Sequence, residues 1–425
     1  MPEGLAGRVC IAGVGCTRFG DLASAPGTGG PTLHELAAAA AREALEDAGM
    51  RGPDVGALYA GGVSLPTSHP RSTAADLAAW IGMRLSPAVP VDAAGATTSV
   101  GVGLATEAIA SGVIDTALVV GVGAGRSTPR GGSPYEWDAL PARRPSGRDG
   151  TRPGRLLAIR QGQDAVAADN GIVAQGYMRR HGVSPKDYDR AMFELCRTQR
   201  LHGSLDARAI LRATLEEQAG ERGFGGPFEF WQSDLNPFVA WPSRRLSTAT
   251  AADGASAVVL VRTEATAGLP SRAVAVRGFA AATATAPGYL LDPTEWPHIR
   301  VATRKAYRMA GIRRADVDHL HVDDSSHVMG IVTAEQMGYL GFGDGLRAAH
   351  DGRLRFDGDR PMTTHGGRHA FGDAGAASAG SDIHHVVRQI RAEAGRAQVL
   401  PPPRLAVIAT HGHMAISHTL VLEGL

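Results

Sequence analysis

One module occurs twice in this chain. Residues 41–58 read AREALEDAGMRGPDVGAL, and residues 303–320 read TRKAYRMAGIRRADVDHL. Laid over each other without a gap, Ala44 falls on Ala306, Ala48-Gly49 on Ala310-Gly311, Asp54-Val55 on Asp316-Val317, and Leu58 on Leu320. Solenoid repeats recur every few tens of residues, so one recurrence at this distance predicts a duplicated domain. It also directs attention to the turns that follow each copy.

The chain has 425 residues, enough for two domains with a core each. Apolar residues make up 44% and charged residues 20%, as in an ordinary globular protein, and the formal charge of +1 gives no pull toward nucleic acid or membrane surfaces. No basic start followed by an apolar run marks a signal peptide, and no apolar run is long enough to span a membrane, so a cytoplasmic location is expected. Cys10, Cys16 and Cys196 are too few and too scattered for a disulfide framework or a zinc site. The only lysines are Lys186 and Lys305. They restrict Schiff-base chemistry to two positions, and both read as surface residues.

Strands and helices alternate. Val9–Gly13 reads as a buried strand, and Thr32-Leu33-His34-Glu35 as a capping box opening a helix that ends at Gly49. A strand at Gly56–Gly62, a helix at Thr73–Met83, a strand at Val89–Asp92, a helix through Ile109 and a strand at Thr116–Val122 follow. The second copy repeats the order, with strands at Ala273–Val276 and His319–Val322, helices at Val301–Ala310, at Ile331–Met337 and through Ile390, and strands at Leu405–Thr410 and Thr419–Leu422. Such alternation predicts an α/β protein with a mostly parallel sheet. Residues 125–245 read as an irregular excursion rich in Arg and aromatic residues.

The duplicated module, the DAGM and MAGI helix ends, LSTATAADGASAVVLV at 246–261 and YMRRHGVSPKDYDRAMFELCRTQRLHGSLDA in the excursion together resemble the thiolase superfamily, in its sterol-carrier-protein-thiolase-like branch. The resemblance covers nearly the whole chain. It implies a thiolase-like fold of two βαβαβαββ halves in five α-β-α-β-α layers. Residues 1–125 would form the first half, 126–245 the loop region and 246–425 the second half, with the last strand of the first half near 255–262. It also implies acyl-CoA binding through the loop region, and a homodimer.

Thiolase chemistry uses a Cys at a helix N-terminus, where the dipole and free N–H groups favour a thiolate, together with acid/base groups and oxyanion donors. Each of these motifs is altered here. The nucleophile turn, D-A-A-C-A-S-G in the family, is Asp92-Ala93-Ala94-Gly95-Ala96-Thr97-Thr98, with Gly95 in the Cys position. The hydroxyls of Thr97, Thr98 and Ser99 have no recognisable base and read as turn and cap residues. The H-D-C-F motif is Asp323-Asp324-Ser325-Ser326, with Asp323 on the family His and Ser325 on the Cys. The G-H-P-x-G motif carries Asp373 on its His, after Thr363-Thr364-His365-Gly366-Gly367. The C-terminal glycine-rich loop is His411-Gly412-His413-Met414.

An ionised carboxylate cannot donate to a thioester oxygen, and with the Cys position and three further motifs altered together, condensation through a cysteinyl intermediate is not expected. Asp323 and Asp373, with His365 and His411, become the candidate acid/base groups. Gly95, Thr97, Ser325, His327, His369, His413 and Met414 become candidate substrate contacts. Two carboxylates in a dry pocket split their pKa values, which suits proton transfer or an aldol-type step on an acyl group carried by coenzyme A or phosphopantetheine. No permanently bound cofactor is expected. The alternative is an inactive subunit that scaffolds an active thiolase paralogue. The resemblance also implies a small OB-fold/zinc-ribbon partner, as in the thiolase-like aldolases. His411-x-His413 and His319-x-His321 could each join Asp323 or Asp373 around a metal, but with 16 His in the chain such pairs arise by chance, and no metal site is assigned. The arginines of 126–155 suit a CoA or phosphopantetheine phosphate or else a solvated loop, and the aromatics of 228–241 an acyl chain or a loop anchor.

Overall fold

The structure is a computed structural model that describes residues 4–22, 30–62, 73–83, 85–126, 165–284, 292–412 and 416–425. Its strands are β1 (Val9–Cys16), β2 (Ala57–Gly62), β3 (Ala88–Pro90), β4 (Thr116–Ala124), β5 (Phe238–Ala240), β6 (Ser243–Arg244), β7 (Asp253–Arg262), β8 (Val274–Thr283), β9 (His319–Val322), β10 (Leu405–Gly412) and β11 (Ile416–Gly424). The first helices are α1 (Leu33–Ala48), α2 (Thr73–Ile81), α3 (Thr97–Ala110), α4 (Ala165–His181), α5 (Pro185–Leu205), α6 (Leu215–Glu221) and α7 (Pro227–Gln232). The second half adds α8 (Pro297–Ala310), α9 (His327–Gln336), α10 (Gly345–His350), α11 (Gly367–Ala370) and α12 (Ser378–Ile390).

Nine strands form one sheet in the order β3-β2-β4-β7-β1-β8-β11-β10-β9. The order is a mirrored pair. Outward from the centre, β1 pairs antiparallel with β7, β7 antiparallel with β4, and β4 parallel with β2. On the other side β8 pairs antiparallel with β11, β11 antiparallel with β10, and β10 parallel with β9. The place of β3 is taken in the second half by a single parallel bridge between Leu320 and Met362. Strand β7, although it follows the excursion, pairs with β4 and β1 of the first half. Antiparallel central pairs make the sheet mixed, where alternation alone suggested a mostly parallel one.

The repeated residues are those that seat a helix on a strand and turn it out again. A β-carbon on Gly13 would lie 2.1 Å from Ala44 O, and one on Gly278 would lie 2.3 Å from Ala306 O. Helices α1 and α8 thus rest with backbone on the strands β1 and β8, and only small residues fit at 44, 48, 306 and 310. Gly49 and Gly311 cap those helices in the left-handed region, at φ 66° and 70°. Asp54 and Asp316 then each accept from a backbone N–H, those of Arg51 and Arg313, at 2.8 Å.

Helices α3 and α12 contact strands of both halves, whereas α1 packs on the first half and α8 on the second. The two half-sites therefore meet at the starts of α3 and α12. The excursion is not irregular from Ala165 onward. Ser184 Oγ accepts from Asp187 N–H and Pro185 opens the first turn of α5, whose buried face joins Tyr177, Trp231 and the second-half helices in the largest apolar cluster. Gly182 before Ser184-Pro185 was a stop-and-start signal the composition obscured.

Candidate active site

The turn after β3 runs through Ala94, at a positive φ of 49°, to Gly95 and α3. Thr97 Oγ1 holds it by accepting from Ala93 N–H at 3.0 Å and donating to Ala94 O at 2.7 Å. From the other half, Asp323 leaves β9 with its N–H donating to Ala409 O at 2.8 Å. Its Oδ1 accepts from Ser325 N–H at 3.1 Å. A β-carbon on Gly95 would lie 3.3 Å from Asp323 Oδ2 and 2.8 Å from His411 O, and one on Gly412 would lie 2.5 Å from Ala93 O. The two halves therefore touch through backbone here, and the carboxylate of Asp323 faces the position where a side chain on residue 95 would begin.

Asp373 occupies the equivalent turn of the second half, and its side chain has a local task. Oδ1 accepts from Gly375 N–H at 3.0 Å and Ser378 Oγ at 2.8 Å, while Ser378 Oγ accepts from Ala374 N–H at 2.9 Å. In the first half, Asp92 Oδ1 is 3.4 Å from Ala94 N–H, and Thr97 does for Ala93 what Ser378 does for Ala374. D-A-A-G-A-T and D-A-G-A-A-S are thus two copies of one turn. Asp373 holds a helix start, which leaves Asp323 as the carboxylate aimed into the junction.

The structure adds a residue that the sequence reading passed over. Arg368 is 1% exposed, and its guanidinium grips Asp382 at 2.6 and 3.3 Å. Its Nε lies 4.0 Å from Asp323 Oδ2. Although burial opposes its charge, Asp382, Asp323 and Asp373 together push the guanidinium's pKa up. Asp324 is buried against the same arginine, accepting from Arg368 N–H at 2.7 Å and from Gln199 Nε2. Burial raises its pKa to about 7. Beneath Asp382 lie His321, with Nδ1 3.1 Å from Asp382 Oδ1, and His365, with Nε2 3.3 Å from the same oxygen. Burial and the neighbouring cationic groups hold both rings well below the ordinary histidine range, hence neutral. The single signal for Arg368 was its place between two altered motifs.

The remaining candidates divide. His365 stacks on Phe371 in this buried layer rather than at the Gly95 junction. His411 presents its carbonyl to Gly95, while its ring Nε2 meets Thr333 Oγ1 at 3.1 Å and burial lowers its pKa to about 3. His327 and His369 pair with each other, rings 5.4 Å apart, and His369 lies 3.7 Å from Cys196 Sγ. Ser325 O accepts from Ala249 N–H at 2.9 Å. His413 and Met414 lie outside the described residues, as do all the arginines singled out in 126–155 except Arg126. Both lysines are exposed. Ser99 does have a neighbouring base, which the sequence could not reveal: His418 Nδ1 is 2.5 Å from its Oγ, although both residues are buried. A cavity of about 480 Å³ is lined by His418, Leu104, Phe279 and Lys305, but not by Gly95, Asp323 or Asp373.

Comparison with known proteins places these features. The thiolase C-terminal domain-like family matches residues 283–424. An acetyl-CoA acetyltransferase of Methanothermobacter thermautotrophicus is 28% identical over 404 residues, covering 92% of this chain and 93% of that protein. A 17-hydroxy-3-oxo-4-pregnene-20-carboxyl-CoA lyase of Mycobacterium tuberculosis is 24% identical, covering 86% of this chain and 87% of its own. The solved Ltp2-ChsH2(DUF35) aldolase superposes with a TM-score of 0.76 at 20% identity, over 99% of this chain and 98% of that one, which makes the folds alike. Among the described residues no helix is long and apolar enough to cross a membrane.

Proposed function

The chain belongs to the thiolase superfamily, and on that footing we propose that it makes or breaks a carbon–carbon bond in a thioester-linked acyl chain by aldol chemistry, with Asp323 as the acid/base group. The observation that carries this reading is the 3.3 Å between Asp323 Oδ2 and the β-position of Gly95. Where thiolases place a nucleophile, this chain has no side chain, and a carboxylate faces that space. In the cleavage direction, Asp323 takes the proton of a β-hydroxyl, and the electron pair of the O–H bond forms a carbonyl as the Cα–Cβ bond breaks. The released pair forms a thioester enolate, which is then protonated at carbon. The positive dipole end of α3, which begins two residues after Gly95, suits the negative oxygen of that enolate. The Arg368 guanidinium, its Nε 4.0 Å from Asp323 Oδ2, lies beside that carboxylate and helps to fix its place at the junction.

The substrate class is a β-hydroxyacyl thioester of coenzyme A or a phosphopantetheine carrier. That the lyase relative is named for a CoA ester supports this choice. A DUF35 partner, as in the structurally similar aldolase, is the partner of first choice, and a homodimer, which the family resemblance implies, is the expected assembly. The test incubates the full chain, alone and with a DUF35 protein, with a panel of β-hydroxyacyl-CoAs and follows release of the carbonyl product and the shortened acyl-CoA by mass spectrometry. Asp323→Asn should lower turnover by about 10²-fold or more, the usual worth of an acid/base group. Unchanged turnover in that variant would remove Asp323 from the mechanism. Absence of turnover in every combination would favour the inactive, scaffolding subunit.

A further inference from the structure

We propose that His321, His365 and Asp382 bind a divalent transition metal, zinc in the first instance, in the buried layer behind Arg368. All three are fully buried and each offers a ligand atom within 4.8 Å of the others. The separations from Asp382 Oδ1, 3.1 Å to His321 Nδ1 and 3.3 Å to His365 Nε2, match the edge of about 3.3 Å in a tetrahedron with 2.0–2.1 Å metal–ligand bonds. His365 Nε2 makes no hydrogen bond, and the far nitrogen of His321 makes none either. Buried polar atoms are rarely left so, and the unpartnered His365 Nε2, 3.3 Å from Asp382 Oδ1, is the atom that points to a missing ligand.

Charge supports the same conclusion. Asp382 holds the Arg368 guanidinium at 2.6 and 3.3 Å, Asp323 Oδ2 lies 4.0 Å from its Nε, and Asp324 accepts from the Arg368 N–H at 2.7 Å. Carboxyl groups thus outnumber the one cation in this buried layer, and a dication would offset the excess. Arg368 takes Asp382 Oδ2 at 2.6 Å and so orients the carboxylate with Oδ1 toward the histidines, an outer-shell role common at metal sites. Two imidazoles and one carboxylate suit zinc or ferrous iron rather than magnesium or calcium. Loading requires His365 to carry its ring proton on Nδ1, at the expense of a long 3.3 Å contact from Gly367 N–H.

The test does not depend on any activity. The untagged full chain is stripped with a chelator, reloaded with Zn²⁺ or Co²⁺ and desalted. Retention of about one metal per chain, a tetrahedral Co²⁺ absorption band and a raised Tm with Zn²⁺ are expected. His365→Gln and Asp382→Asn should each lower retention at least tenfold, while the surface variant His350→Gln should not. If a buried variant fails to fold, the Co²⁺ spectrum of the unaltered chain decides. Retention below a tenth of an equivalent, no Co²⁺ band, or undiminished retention in a folded His365→Gln protein overturns the proposal.

Discussion

Asp323 Oδ2 stands 3.3 Å from where a β-carbon on Gly95 would be, so the turn of one half and the strand end of the other share a single space. Any side chain at 95 must enter it, and must also pass His411 O at 2.8 Å.

Restoring the family's nucleophile should therefore not restore its chemistry. In Gly95→Cys the new β-carbon meets a backbone oxygen and the new thiol a carboxylate, which disfavours a thiolate. The variant is expected to lose about 1–3 kcal/mol of stability. Its thiol should react with iodoacetamide at pH 7 no faster than free cysteine. Rapid alkylation would show that residue 95 faces an environment suited to thiolate.

The pairing of Arg368 with Asp382 can be weighed by a double-mutant cycle. Removing one partner leaves a buried charge uncompensated, and Arg368→Met or Asp382→Asn should each cost about 3–5 kcal/mol in urea denaturation. The double variant should cost less than their sum, since the two side chains contact each other directly and their mutual interaction is lost only once. Additive losses would mean that the two side chains contribute independently.

Stability should fall on acidification. Burial lowers the pKa of His202, His369 and His411 to about 3 and that of His418 to about 4. The unfolded chain binds protons near the ordinary value of about 6.5, so stability is intact above that pH and lost as pH falls toward the folded values. Between pH 7 and 5 each of these histidines withdraws roughly 2 kcal/mol. Asp324, raised to about 7 by burial, and Asp382, also raised by burial, work in the opposite sense but are two groups against several. Urea midpoints at pH 7, 6 and 5 measure this, and a flat series would mean the histidines are not buried neutral.

Ser99 and His418 should behave as structure and not as a catalytic pair. Both are buried, with the serine inside the first turn of α3. A serine-directed fluorophosphonate is expected to leave the native protein unlabelled. Ser99→Ala should cost about 1–3 kcal/mol by stranding the ring nitrogen 2.5 Å away. Stoichiometric labelling at Ser99 would make it a nucleophile.

What the sequence by itself determined is the architecture. The two DAGM/MAGI modules predict a duplication because Ala44, Ala306 and their neighbours are contacts between a helix and the strand beside it, written at fixed spacing. The loss of the cysteine is likewise local, since Gly95 follows Asp92 in a recognisable turn. Only the tertiary structure separated Asp323 from Asp373. Their motifs look alike as substitutions, and each carboxylate closes a local turn through Oδ1, yet only Asp323 also sets Oδ2 against residue 95 across the junction of the halves. It alone found Arg368 with Asp382, and Ser99 with His418, 319 residues apart. Those pairings depend on which sides of two packed helices face each other, and chain spacing carries no record of that.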